Sequence, residues 1–107
     1  MKQVSNKSAL KEIQNYQKLL REANVRFDSI ILFGSQAMGT SKSHSDIDIC
    51  VVSKDFGKNR HSERVALLKI SNNTTIDIEP HPYHPNDLTN KWDPLASEIR
   101  KNGVVVS

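Results

Sequence analysis

Ser29-Ile30-Ile31-Leu32-Phe33 is a short apolar run that stops abruptly at Gly34-Ser35. Its length and β-branched content are those of a buried strand, and the glycine that follows marks a tight turn. Small and polar residues, including a second glycine at Gly39, lead from that turn to Ser45-Asp46-Ile47-Asp48-Ile49-Cys50-Val51-Val52. This segment predicts a second strand. Side chains at i and i+2 of a strand share a face, so Asp46 and Asp48 project together and Ile47, Ile49 and Val51 project to the other side. Two short buried strands, a turn of small residues and a pair of carboxylates on one face leave few folds open.

Adjacent carboxylates repel, and burying either one uncompensated is costly. A hard divalent cation is the natural compensation, and carboxylate oxygens are the ligands that Mg²⁺ prefers. Mg²⁺ keeps several waters and commonly shares its shell with substrate phosphates. A glycine turn with outward-facing amides beside such an ion can hold a polyphosphate. A calcium loop would place polar residues at the alternate positions, whereas this chain has Ile47, Ile49 and Val51 there. Metal and phosphate cradle together point to phosphoryl or nucleotidyl transfer.

The ordered set Phe33-Gly34-Ser35, Gly39 and Ser45-Asp46-Ile47-Asp48-Ile49 resembles the nucleotidyltransferase superfamily that includes DNA polymerase β, and above all its minimal nucleotidyltransferase branch. The resemblance runs from about Phe27 to Val106, with its specificity in residues 33 to 49. It implies an α+β fold, a small mixed β-sheet with helices packed mainly on one face. It also implies that Gly34, Ser35, Gly39 and Ser45 hold the phosphates of ATP or another nucleoside triphosphate. Asp46 and Asp48 would then ligate two Mg²⁺ ions, joined by a third acid on a later strand that helps bind metal and activates the acceptor hydroxyl. Thr74-Thr75-Ile76-Asp77-Ile78-Glu79 alternates as a strand does and is predicted to end at Pro80. Asp77 and Glu79 share one of its faces. An apolar-Asp-apolar context favours Asp77 and the Ile-Glu-Pro-His-Pro string favours Glu79, so both stand as catalytic and metal-ligating candidates. Family members often carry an arginine in the first turn. Here those positions are Gln36, Ala37 and Met38, which leaves Lys42, Lys54 or Arg60 to supply the charge.

Around this core, Leu10, Ile13, Tyr16 or Gln17, and Leu20 recur at helical spacing over residues 8–23, with Asn24 as the stop. Ser53 to Arg60 reads as a polar loop, most simply a solvated one and alternatively a lid over a phosphate site, and residues 62–69 as a second helix. His81-Pro82-Tyr83-His84-Pro85 lacks partner cysteines for zinc. It reads as a stiff loop over the sheet end, with His81 or Tyr83 able to line a nucleotide pocket. Asp93-Pro94 is an N-cap followed by proline at the first helical position, opening a helix that Asn102-Gly103 ends. Trp92 reads as a core or interface anchor, and Val104-Val105-Val106 as an edge strand.

At 107 residues, 36% hydrophobic and 25% charged, the chain is expected to be a single domain, 1–107, with a modest core. No apolar run approaches the ~18 residues of a membrane span, and the start lacks the apolar core of a signal peptide. The lone Cys50 cannot form an internal disulfide. These features predict a cytoplasmic protein. The net charge of +3 is spread out and forms no stripe for nucleic acid. The resemblance implies a nucleotidyltransferase that moves AMP from ATP to a hydroxyl. Minimal members are frequently antitoxins that modify a helical HEPN-type partner protein, and a homo-oligomer is a further possibility. Two alternatives are a binding module that neutralises such a partner by contact alone, and an enzyme acting on a small molecule such as an aminoglycoside.

Overall fold

The computed structural model describes residues 7–34, 46–72 and 78–107. Both strands read from the apolar runs are present, as β1 (Ser29–Phe33) and β2 (Ile47–Val52). They pair antiparallel, with Phe33 opposite Asp48. A helix at Arg60–Ser71 then carries the chain to β3 (Ile78–Tyr83), which lies parallel to β2. The last strand, β4 (Val104–Val105), adds to the other side of β1 and gives the order β3-β2-β1-β4. With α1 at Lys7–Glu22, α2 at Arg60–Ser71 and α3 at Pro94–Asn102, this is a small α+β domain with a mixed sheet.

Strand alternation sorts the core into two clusters. Ile30, Leu32, Ile47, Ile49, Val51 and Ile78 face α1 and α2 and meet Ala9, Ile13, Tyr16, Leu20 and Leu67. Tyr16 is fully buried, and its hydroxyl donates to the Leu67 carbonyl at 2.8 Å, tying α1 to α2. On the other face, Phe33, Cys50, Val52 and Tyr83 pack against Ala96 and Ile99 of α3. Helix α1 ends as its sequence predicts. Asn24 takes φ +61°, its amide donates to the Arg21 carbonyl, and the Val25 amide donates to the Leu20 carbonyl. That is the Schellman pattern.

The third strand differs from the expectation. It does not stop at Pro80 but continues through Pro80, His81 and Pro82 to Tyr83. The reason lies in its edge position. The Ser53 amide donates to the Tyr83 carbonyl, so Tyr83, His81 and Glu79 direct their backbone groups at β2. Pro80 and Pro82 fall on the alternate set, aimed at the open edge, where a missing N–H costs no ladder bond. Their rings are buried on the helix side instead.

Trp92 is 83% exposed, so it is no core anchor. It sits in the polar turn between a 3₁₀ helix at Pro85–Thr89 and α3, its ring 5.6 Å from the Lys91 ammonium. The loop after β2 is the largely exposed loop that its composition predicts, and is not placed as a lid over the acids. It leaves the far end of the strand from Asp46 and Asp48. The amides of Gly57, Lys58 and Asn59 donate to the Glu63 carboxylate, and Asn59 caps α2. Arg60 stacks over the Tyr83 ring and pairs with Asp87 and Asp93 at 3.6 and 3.9 Å. It is committed away from the acids.

Asp93 caps α3 by accepting from the Leu95 and Ala96 amides, and it also accepts from the Tyr83 hydroxyl. Burial alone would raise its carboxyl, but these hydrogen bonds and Arg60 outweigh burial and hold it below the ordinary value of 3.8. A lowered folded value stabilises the fold fully above the unfolded value and loses that contribution as pH falls through the lowered one. Asp93→Ala is therefore expected to cost about 1 kcal/mol at neutral pH. In urea denaturation the deficit should narrow progressively as the titration is repeated in acid.

Candidate active site

Asp48 lies at the centre of the site because its neighbours on both sides of the sheet are fixed by register. Phe33, the last residue of β1, is opposite it on one side, and Glu79 of β3 is opposite it on the other. All three side chains, with His81 two residues on, project to the same face of the sheet. Helix α3 covers that face around Cys50, Val52 and Tyr83, leaving Asp48, Glu79 and His81 half-buried. Asp46, just before β2, is exposed. Both strands that carry the acids contribute them from their N-terminal ends, so the parallel pairing brings the acids together.

The carboxylates sense one another. Burial raises the Glu79 carboxyl above its ordinary value of 4.5. The hydrogen bond that its acid form makes with Asp48, and the negative charges of Asp48 and Asp46, push it the same way. On the other side of Asp48, His81 Nε2 lies 3.9 Å from Oδ1. The His81 ring is braced by Phe33, with centroids 5.3 Å apart and planes inclined by 58°. Gly34 follows at φ +73°, and a Cβ built there would lie 2.5 Å from Asp48 Oδ2. The glycine thus supplies the left-handed backbone of the turn and also the space that the Asp48 carboxylate occupies.

One ligand atom each from Asp48, Glu79 and His81 can be chosen so that all lie within 4.8 Å of one another. Bonds of about 2.1 Å in an octahedral shell separate ligands by roughly 3–4 Å, so a small inward movement would suit a divalent cation. The donor set is oxygen-rich, and among the described residues no lysine or arginine pairs with its carboxylates, which fits such an ion on chemistry as well as on distance.

Of the residues expected to form the site, Gly34, Asp46, Asp48 and Glu79 come together here. Ser35, Gly39, Ser45 and Asp77 lie outside the described residues, as does Lys42. Two supports were not read from the sequence, the bracing of His81 by Phe33 and the fit of Asp48 against Gly34. The first had a signal: Ile78-Glu79-Pro80-His81-Pro82-Tyr83 alternates with period two if proline is allowed in the buried slots. His84, by contrast, turns away from His81 and accepts the Asn86 amide as the cap of the 3₁₀ helix. A hollow of about 660 Å³ lined by Arg21, Arg26, Asp28 and neighbouring residues lies beyond the other end of β1 and shares no residue with the acids.

One end of the sheet thus carries Asp46 and Asp48 at the start of β2, Glu79 on its parallel neighbour and the turn at Gly34. The family model for polymerase beta nucleotidyltransferases matches residues 11–107. The chain belongs to that family. Over 67 residues this nucleotidyltransferase is 39% identical to a protein of Methanocaldococcus jannaschii assigned as a protein adenylyltransferase. The match covers 59% of the chain and 46% of that relative, so the chain spans under half of the relative's length. Among solved structures it is similar to a toxin–antitoxin bound to AMP-PNP, with a TM-score of 0.59 and 26% identity over 92% of this chain and 72% of that one. A mutant of the toxin–antitoxin MntA–HpeT gives a TM-score of 0.61 and 29% identity, covering 87% and 69%. A nucleotidyltransferase-like protein of Sulfolobus solfataricus shares the fold, with a TM-score of 0.64 at 20% identity over 94% and 87%. Among the described residues no helix is long and apolar enough to cross a membrane.

Proposed function

We propose that this nucleotidyltransferase moves AMP from ATP to a hydroxyl on a partner protein, as the antitoxin of a toxin–antitoxin pair. The observation that carries the reading is the register of Asp48 with Glu79 beside the Gly34 turn. The protein-adenylyltransferase relative and the toxin–antitoxin neighbours, one of them bound to AMP-PNP, support ATP as the donor and a protein as the acceptor. A helical HEPN-type partner is the acceptor that this reading favours.

In the proposed reaction the acceptor oxygen attacks the α-phosphorus, the bond to the bridging oxygen breaks, and pyrophosphate leaves. The Gly34 amide, with Ser35, Gly39 and Ser45, holds the β- and γ-phosphates. Asp46, Asp48 and Glu79 hold the cations. Two Mg²⁺ ions, when bound, would offset the triphosphate charge and lower the pKa of the acceptor hydroxyl. Glu79 would receive the hydroxyl proton, a role that its position opposite Asp48 supports. Glu79→Gln is accordingly expected to lower transfer on the order of 10²-fold or more, and Asp77→Asn to change it little. Initial rates of the two variants, side by side, check this assignment.

The function itself is tested by incubating the chain with α-labelled ATP, Mg²⁺ and lysate of its source cells. Label on one protein band with the native chain, and none with Asp46→Asn/Asp48→Asn, is the expected result. One sequence feature favours a second reading, neutralisation by contact alone: the turn that often carries an arginine in the family this chain resembles has Gln36, Ala37 and Met38 instead. Under that reading the double variant still binds and silences the partner, and no protein is labelled.

A further inference from the structure

We propose that His81 is a metal ligand, which makes this a mixed nitrogen–oxygen site that prefers Mn²⁺ or a similar transition ion to Mg²⁺. The inference rests on the reading that the Asp48–Glu79 cluster binds a divalent cation. Three observations carry it. His81 leaves β3 on the same face as Glu79, two residues further on. Its Nε2 is turned toward Asp48 Oδ1 at 3.9 Å and falls within the 4.8 Å cluster of possible ligand atoms. Its ring is held there by Phe33 at 5.3 Å, so little side-chain freedom remains to be lost on binding.

The 3.9 Å separation is too long for a hydrogen bond and near the edge of an ion pair. The imidazole is therefore poised beside Asp48 without being consumed by it. A separation of this size suits two ligands of one ion better than a direct contact. Imidazole nitrogen discriminates strongly among metals: Mg²⁺ favours oxygen and water, whereas Mn²⁺ and the later first-row ions accept nitrogen readily. Adding one such ligand to a carboxylate pair shifts preference without excluding Mg²⁺.

The test uses the full chain with Mn²⁺ alone, and with Mn²⁺ plus inorganic tripolyphosphate, which contains no nitrogen. Pulsed electron paramagnetic resonance of bound Mn²⁺ should show the modulation of a directly bound imidazole nitrogen. His81→Ala should abolish that modulation and lower the Mn²⁺-to-Mg²⁺ affinity ratio about tenfold or more. His81→Gln, with a melting curve for each variant, separates ligand loss from misfolding. A native spectrum without nitrogen modulation overturns the assignment even if no variant folds. Mn²⁺ bound without nitrogen modulation, or a modulation that survives in His81→Ala, overturns the assignment and leaves the carboxylate site standing. Failure of the native chain to bind Mn²⁺ and Mg²⁺ at all overturns both.

Discussion

Asp48→Asn lowers nucleotidyl transfer on the order of 10²-fold or more, and without divalent cation it leaves the melting temperature unchanged or higher. The two halves of this expectation come from one feature. Asp48 is placed by register between Phe33 and Glu79, where burial first, and then the hydrogen bond to Asp48 and the charges of Asp48 and Asp46, raise the Glu79 carboxyl. Without a cation this crowding opposes folding, so removing a charge relieves it. Its only ion-pairing neighbour among the described residues is His81, at a marginal 3.9 Å. Saturating Mg²⁺ should reverse the order. The native chain gains stability in proportion to the logarithm of cation concentration over its dissociation constant, and the variant gains little. Thermal melts with and without Mg²⁺ measure this. A variant that melts well below the native chain in both conditions would show Asp48 to be structural.

Gly34→Ala combines two penalties at one position. At φ +73° a Cβ costs on the order of 1–2 kcal/mol. That Cβ would also lie 2.5 Å from Asp48 Oδ2 and 3.3 Å from its Cγ, so the carboxylate must turn aside. Displacing a group that must be positioned to a fraction of an ångström costs up to ~10²-fold in rate. Transfer per folded molecule should fall by that order, alongside a loss of a few kcal/mol in denaturant unfolding. Gly57→Ala is the control. It too has a positive φ, +101°, and its Cβ would meet His84 at 3.3 Å, but it lies beyond the opposite end of β2. It should lose stability and keep its activity per folded molecule.

How far the chain could be read beforehand depended on whether the information was local. Ser29–Phe33 and Ile47–Val52 announce themselves by apolar content and alternation, and Asp93-Pro94 and Asn24 mark helix ends through their own backbone chemistry. The acid pair Asp46 and Asp48 needs only the period of a strand. Asp77 and Glu79 share one face of their segment, so pattern alone offers both; that Glu79 stands opposite Asp48 is a matter of register, which is set between strands and not within one. The extent of β3 was hidden because Pro80 and Pro82 argue against a strand until it is known to be an edge. Arg60 has the composition of a phosphate ligand, yet the topology puts it beside Tyr83 and Asp93. Trp92 suggested a core or interface anchor by size alone, and its 83% exposure in a turn between two helices rules out the core.

The central claim is attack at the α-phosphorus of ATP with departure of pyrophosphate. Parallel incubations with α-labelled and γ-labelled ATP, Mg²⁺ and the acceptor test it most directly. The account predicts that the α-label becomes bound to the acceptor while the γ-label is recovered as pyrophosphate in equal amount. Transfer of the γ-label to the acceptor, or its release as orthophosphate with no α-label bound, would contradict it.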